Sequence, residues 1–169
     1  MTKLAALILL MVLGPVPLMA ETCETMSFKE NSFDICTVDL TQDTLELFLY
    51  APDGSPYGYF NTLNAALETQ SGPMLVIDGK LHPRFLKHST SRYVRNGVGT
   101  SADGTQAIFA ISNNTINFYD FALFFRDHLK LRNALYLDGN ISRMRAPSLS
   151  RNDLGFGALG PIIGVVTEK

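Results

Sequence analysis

The chain has 169 residues, of which 46% are apolar and 18% charged, a size and balance that fit one globular domain with its own core. Its formal charge of -2, with no run of lysine or arginine, argues against nucleic-acid binding and leaves no long-range field to steer an acidic partner.

The first twenty residues read as a secretory signal peptide. Lys3 gives a positive start, Leu4 to Leu13 form an unbroken apolar run, Gly14-Pro15 interrupt it, and Ala20 places a small residue before Glu21. A membrane span would need about 20 apolar residues, roughly twice this run. The expectation is an exported chain, periplasmic or secreted, beginning at Glu21 and organised as one domain over 21–169, with no later stretch long enough to span a bilayer. Cys23 lacks the sequence context of a lipoprotein.

Cys23 and Cys36 are the only cysteines. In an oxidising compartment a pair this close is most simply a disulfide, contributing about 2 to 3 kcal/mol; the alternative is two reduced core thiols. A metal or redox site would want a third ligand or Cys-x-x-Cys spacing.

Ser32 to Val38 and Thr44 to Tyr50 alternate apolar and polar residues, with turn chemistry from Asp39 to Asp43, and are expected to pair as a hairpin. A turn-rich link over Pro52 to Gly58 leads to a short helix at Thr62 to Glu68. Met74 to Ile77 is a compact apolar strand turning at Asp78-Gly79 and covered on both faces. Leu81 to Arg95 gathers His82, Arg84, Lys87, His88, Arg92 and Arg95 without clear periodicity, either an anion-binding loop or a solvated one.

Val94 to Thr100 and Ala107 to Ser112 are expected to pair through Ala102-Asp103-Gly104, with Gly97 and Gly99 marking close backbone approach. Phe118, Ala122, Phe125 and Leu129, with Phe121 and Phe124 beside them, form the apolar stripe of a helix running to Lys130, so these rings and His128 belong to packing or surface. Ala134 to Leu137 reads as a short buried strand ending at Asp138-Gly139, where a carboxylate meets the mouth of a pocket. Gly160 to Val166 supplies a final strand. Together these predict an α+β fold: a mixed, mostly antiparallel sheet with one or two helices packed on it.

Several chemistries lack their residues. There is no Gly-x-Ser-x-Gly elbow, no phosphate loop and no dinucleotide fingerprint, and the three histidines lack zinc spacing, so neither metal nor cofactor is expected. What remains is carboxylate chemistry near cationic and amide donors, suited to glycosidic or phosphodiester cleavage, with a turn-forming aspartate as the plainer reading of Asp138.

An ordered set of motifs then resembles the exported bacterial phosphodiester glycosidases, relatives of the animal enzyme that uncovers mannose 6-phosphate. The motifs are Thr69-Gln70-Ser71-Gly72-Pro73-Met74-Leu75-Val76, Ser91-Arg92, Arg95-Asn96-Gly97-Val98-Gly99, Asn133-Ala134-Leu135-Tyr136-Leu137-Asp138-Gly139 and Gly160-Pro161-Ile162-Ile163-Gly164-Val165-Val166. The resemblance implies hydrolysis of a sugar-1-phosphodiester, so the partner is a carbohydrate or sugar phosphate. Asp138 and Arg95 are the catalytic candidates, with Asn96, Ser71, Gly72, Gly139, Ser142 and Arg92 around the substrate. Two departures accompany it. Glu68 runs directly into Thr69 where relatives carry several dozen more residues, which predicts a shortened sheet, and the glycine-rich turn of the animal enzyme is here Asp138-Gly139-Asn140-Ile141-Ser142. An inactive descendant that binds glycan or an envelope protein is the alternative.

Overall fold

The computed structural model describes residues 21–50, 56–60, 72–139, 142–153 and 162–167. The expected signal peptide, the expected helix at 62–68 and Ser71 lie outside them. Strand β1 (Glu21–Phe28) runs antiparallel to β2 (Asn31–Asp39) along its whole length, which places Cys23 directly opposite Cys36 and allows the disulfide between them.

The second side of β2 pairs with β8 (Gln106–Ser112), not with β3 (Asp43–Tyr50), so the hairpin expected between the first two sequence-predicted strands does not form. The reason is burial. Phe33, Ile35 and Val38 are buried, but so are Asp34 and Cys36, which makes β2 a strand covered on both faces and flanked on both edges. The turn at Asp39 does form, with Asp39 Oδ1 accepting from the Thr41 amide and hydroxyl. It carries the chain across to a second layer, guided by the Leu40 amide donating to the Thr105 carbonyl at 2.8 Å.

That second layer is β3 flanked by β12 (Ile162–Thr167) and β4 (Pro56–Phe60). The main sheet adds β5 (Met74–Ile77), β6 (Lys80–Leu81), β7 (Asn96–Thr100) and β9 (Asn133–Asp138), in the order β1-β2-β8-β7-β9-β5-β6. A short ladder joins β10 (Arg145–Ala146) to β11 (Arg151–Asn152). Every pairing among the described strands is antiparallel, which corrects the expectation of a mixed sheet. A helical crossover does connect β8 to β9, but β7 lies between them, so β9 meets an antiparallel neighbour.

The crossover begins as α1 (Phe118–Leu123), capped by Asn117, whose Oδ1 accepts from the Asp120 amide at 2.8 Å. The expected continuous helix to Lys130 widens after Leu123 into a π turn over Phe124–His128, closed by the Leu129 amide on the Phe124 carbonyl. Phe121, Phe124 and Phe125 all sit at 0% exposure against Phe33, Leu75 and Ala134, and Lys130 (φ 58°) turns the chain out toward β9. His128 packs on Phe124 and Phe28, in line with its assignment to packing.

Gly97 and Gly99 make this close seating possible. A Cβ on Gly97 would lie 2.8 Å from the Leu135 carbonyl oxygen, and one on Gly99 would lie 2.6 Å from Leu131 Cδ1. The opposite face of the main sheet buries Val38 and Ala107 against Leu45, Ile163 and Val165 of the second layer. The architecture is therefore mostly antiparallel sheet in two layers with a single short α-helix over one face. The β5–β6 turn forms at Asp78 (φ 49°) and Gly79 (φ 78°), as the Asp-Gly pair predicts. Leu75 and Val76 of β5 are buried, while Ile77 is exposed.

Candidate active site at the end of strand β9

Strand alternation puts Ala134 and Tyr136 on the face that carries α1. At the end of β9 Asn96 lies opposite Asp138 and Gly97 opposite Tyr136, with a register shift between the two β7 residues. The shift frees the end of β9 from the regular ladder, and the Asn96 side chain takes over: its Oδ1 accepts from the Asp138 amide at 2.8 Å. Asp138 Oδ1 then accepts from the Gly139 amide at 2.7 Å. The Ser142 hydroxyl is shared between the carbonyls of Asp138, at 2.8 Å, and Val94, at 3.0 Å, so it ties the turn after β9 to the segment entering β7.

Arg95 lies beneath this turn at 2% exposure. Its Nε donates to the Ile116 carbonyl at 2.9 Å, its Nη2 to the Ser91 carbonyl at 3.1 Å and its Nη1 to the Tyr136 hydroxyl at 3.2 Å. The guanidinium carbon sits 3.7 Å from the centre of the Phe118 ring, a cation–π contact made in a desolvated setting. No carboxylate is among these described partners. Burial accordingly lowers the Arg95 pKa from its ordinary value, opposed by the Tyr136 and Tyr93 phenols. Burial raises the Tyr136 pKa, against the pull of Arg95 and with the help of the Asp138 charge.

Of the residues singled out in the sequence, Asp138, Gly139, Ser142, Asn96, Arg95 and Gly72 come together here. Gly72 joins because a Cβ on it would meet the Tyr136 ring 2.2 Å away. Ser71 lies outside the described residues. Arg92 is exposed and donates to the Thr115 carbonyl, which anchors the loop before β7 instead of reaching the end of β9. Tyr136 and Phe118 are the residues that sequence reasoning passed over. The signal for Tyr136 was present, since it stands two positions before Asp138 in the same motif.

Other groupings offer less. A cleft of about 440 Å³ lined by Asp78, Thr100, Ser101, Asp103, Arg132 and Asn133 lies at the opposite end of β7 and β9. The Asp103 carboxylate there is engaged within its own turn, by Ser101 and Thr105. Among the described residues one group of metal-donor side chains converges, Glu21 with Cys23 and Cys36, but its two sulfurs are joined in the disulfide.

Comparison with known proteins places the chain in a family. Residues 31–161 match the phosphodiester glycosidase family. The chain belongs to it. A 75-residue stretch is 45% identical to the uncharacterized protein YigE of Escherichia coli K12, covering 44% of this chain and 29% of that protein. Among solved structures, the zebrafish N-acetylglucosamine-1-phosphodiester alpha-N-acetylglucosaminidase catalytic domain, auto-inhibited by its pro-peptide, is 11% identical with a TM-score of 0.41, over 72% of this chain and 70% of that one. A hypothetical protein from Synechocystis is 14% identical with a TM-score of 0.42, over 78% of this chain and 35% of that one. The Cys23–Cys36 disulfide fits an extracellular or periplasmic phosphodiester glycosidase family member, and among the described residues no helix is long and apolar enough to cross a membrane.

Proposed function

We propose that this protein is an exported hydrolase of the phosphodiester glycosidase type, releasing a sugar from a sugar-1-phosphodiester. The observation that carries the reading is a buried arginine with no carboxylate among its described partners, hydrogen-bonded to Tyr136 of the strand that Asp138 ends. A structural ion pair would discharge Arg95. With no described carboxylate paired to it in a medium of low polarity, the guanidinium is a positive charge that an incoming phosphodiester monoanion would neutralise.

In this scheme Asp138 serves as acid/base at the glycosidic oxygen or holds the sugar hydroxyls. Arg95 offsets the charge on the phosphate from beneath Gly139, while Asn96 and Ser142 hold the β9 terminus and its turn in register. Gly72 leaves room for the Tyr136 ring. Ser71 is assigned to the substrate from its place in the motifs, whereas Arg92 serves the loop it anchors.

The test is hydrolysis of a chromogenic sugar-1-phosphodiester by the purified protein, with Asp138→Asn alongside. Asparagine retains an oxygen to accept from the Gly139 amide, so the variant should melt within a few degrees of the parent while losing all turnover. Equal turnover in the variant would refute the assignment. A second reading, a non-catalytic binder of glycan or of an envelope protein, is favoured by the direct junction of Glu68 and Thr69. A cooperatively melting protein without turnover would support that reading instead.

A further inference from the structure

Tyr136 takes no chemical part in the scheme above, yet the site is shaped around it. Its ring lies between two positions without side chains. A Cβ on Gly72 would fall 2.2 Å from ring carbon Cδ1, and one on Gly139 would fall 2.0 Å from the hydroxyl oxygen. Phe118 meets the same ring edge-on, with centroids 4.7 Å apart. The Tyr136 amide is held as well, donating to the Pro73 carbonyl at 3.2 Å.

Among the described residues, the hydroxyl is the one partner of Arg95 Nη1. Nε and Nη2 are taken by the backbone, donating to the carbonyls of Ile116 and Ser91. Nη1 bonds the Tyr136 hydroxyl at 3.2 Å, while Phe118 covers the guanidinium face at 3.7 Å. Nη1 is also the nitrogen nearest the Gly139 turn, 3.2 Å from where a Cβ of Gly139 would stand.

We propose that Tyr136 is the positioning residue for Arg95, orienting the guanidinium toward the Gly139 turn, where the function proposed above puts the phosphate, without neutralising its charge. A carboxylate at this place would hold Nη1 equally well but would form an ion pair and cancel the charge. A buried phenol stays protonated and neutral, so it accepts the hydrogen bond and leaves the cation available to a phosphodiester monoanion. The role in binding rests on the function proposed above; the role in orienting Arg95 does not.

The decisive experiment compares the Arg95 guanidinium by nitrogen-15 NMR in the parent and in Tyr136→Phe, with its resonances assigned by their loss in Arg95→Lys. The expected result is slow rotation of the Nη1 group in the parent and rotation roughly tenfold faster in Tyr136→Phe, with the Nε–H resonance unmoved because the Ile116 bond persists. Gly139→Ala, which displaces the same hydroxyl, should speed rotation likewise, and equal rates in all three proteins would overturn the proposal. With a sugar-1-phosphodiester as substrate, Tyr136→Phe should raise KM roughly tenfold while kcat changes less than about threefold. An unchanged KM overturns the role in binding. A parent without turnover counts against the glycosidase function, and the NMR comparison then decides the role of Tyr136 by itself.

Discussion

Replacing Gly139 by alanine should unseat the Tyr136 hydroxyl, and the size of the effect follows from the local geometry. The new Cβ would lie 2.0 Å from the hydroxyl oxygen and 3.2 Å from both Tyr136 Cζ and Arg95 Nη1. The ring has little room to retreat, since Phe118 stands at 4.7 Å and the Gly72 backbone lies against its other side. Gly139 is not among the residues with positive φ, so the cost is one of space and not of backbone conformation. Overpacking of this kind costs about 1 to 3 kcal/mol. For a chain of this size that lowers Tm by about 2 to 12 °C. Without the clash, a glycine-to-alanine change here would stabilise slightly by restricting the unfolded chain. The double variant Gly139→Ala/Tyr136→Phe removes the oxygen and leaves 3.2 Å as the shortest of these approaches, which a small shift can relieve. Thermal melts of the four proteins should therefore show a coupling of about 1 kcal/mol in favour of the double variant. Strictly additive melting temperatures, or a Gly139→Ala protein as stable as its parent, would refute the packing described here.

Two further outcomes are expected. Converting both Cys23 and Cys36 to serine opens a loop of sequence separation 13, which should cost about 3 kcal/mol and lower Tm by roughly 6 to 12 °C; a parent whose Tm does not respond to reductant would contradict this. Asp34 should contribute to the acid limb of the stability curve. Burial alone would raise its pKa, but hydrogen bonds from Thr25, Asn113 and Arg151 and the Arg151 charge outweigh that and hold it below the ordinary value. A folded pKa below the unfolded one means stability present above the unfolded value, about 3.9, and lost as pH falls through the folded value. Asp34→Asn should therefore melt below the parent near neutral pH, with the gap closing below about pH 4. A gap that does not change with pH would show that the Asp34 charge is not what Arg151 stabilises. Asp103, held at about 2 by Ser101 and Thr105, titrates in the same acid range, which is why the comparison is made between the two proteins and not on one curve.

Local signals in the sequence were sufficient wherever the structure depends on near neighbours. The Asp78-Gly79 turn, the β7–β8 hairpin with its two close-approach glycines, and the phenylalanine stripe over the sheet each follow from spacing within about a dozen residues. The Cys23–Cys36 bridge is of the same kind, and the position of Asp138 at the end of its strand was legible from the apolar run that precedes it. Tertiary structure alone decided which strands pair with β2, because an alternating pattern reports one buried face and is silent about a second. It also decided what Arg95 is. In the sequence Arg95 is one cation in a basic loop; in the fold it is buried against Phe118 and joined to a tyrosine 41 residues away. Arg151 likewise reaches Asp34 across 117 residues. A side chain's charge state and burial are set by the groups that surround it, and those groups come from distant segments brought together only when the sheet and its helix close over the same core.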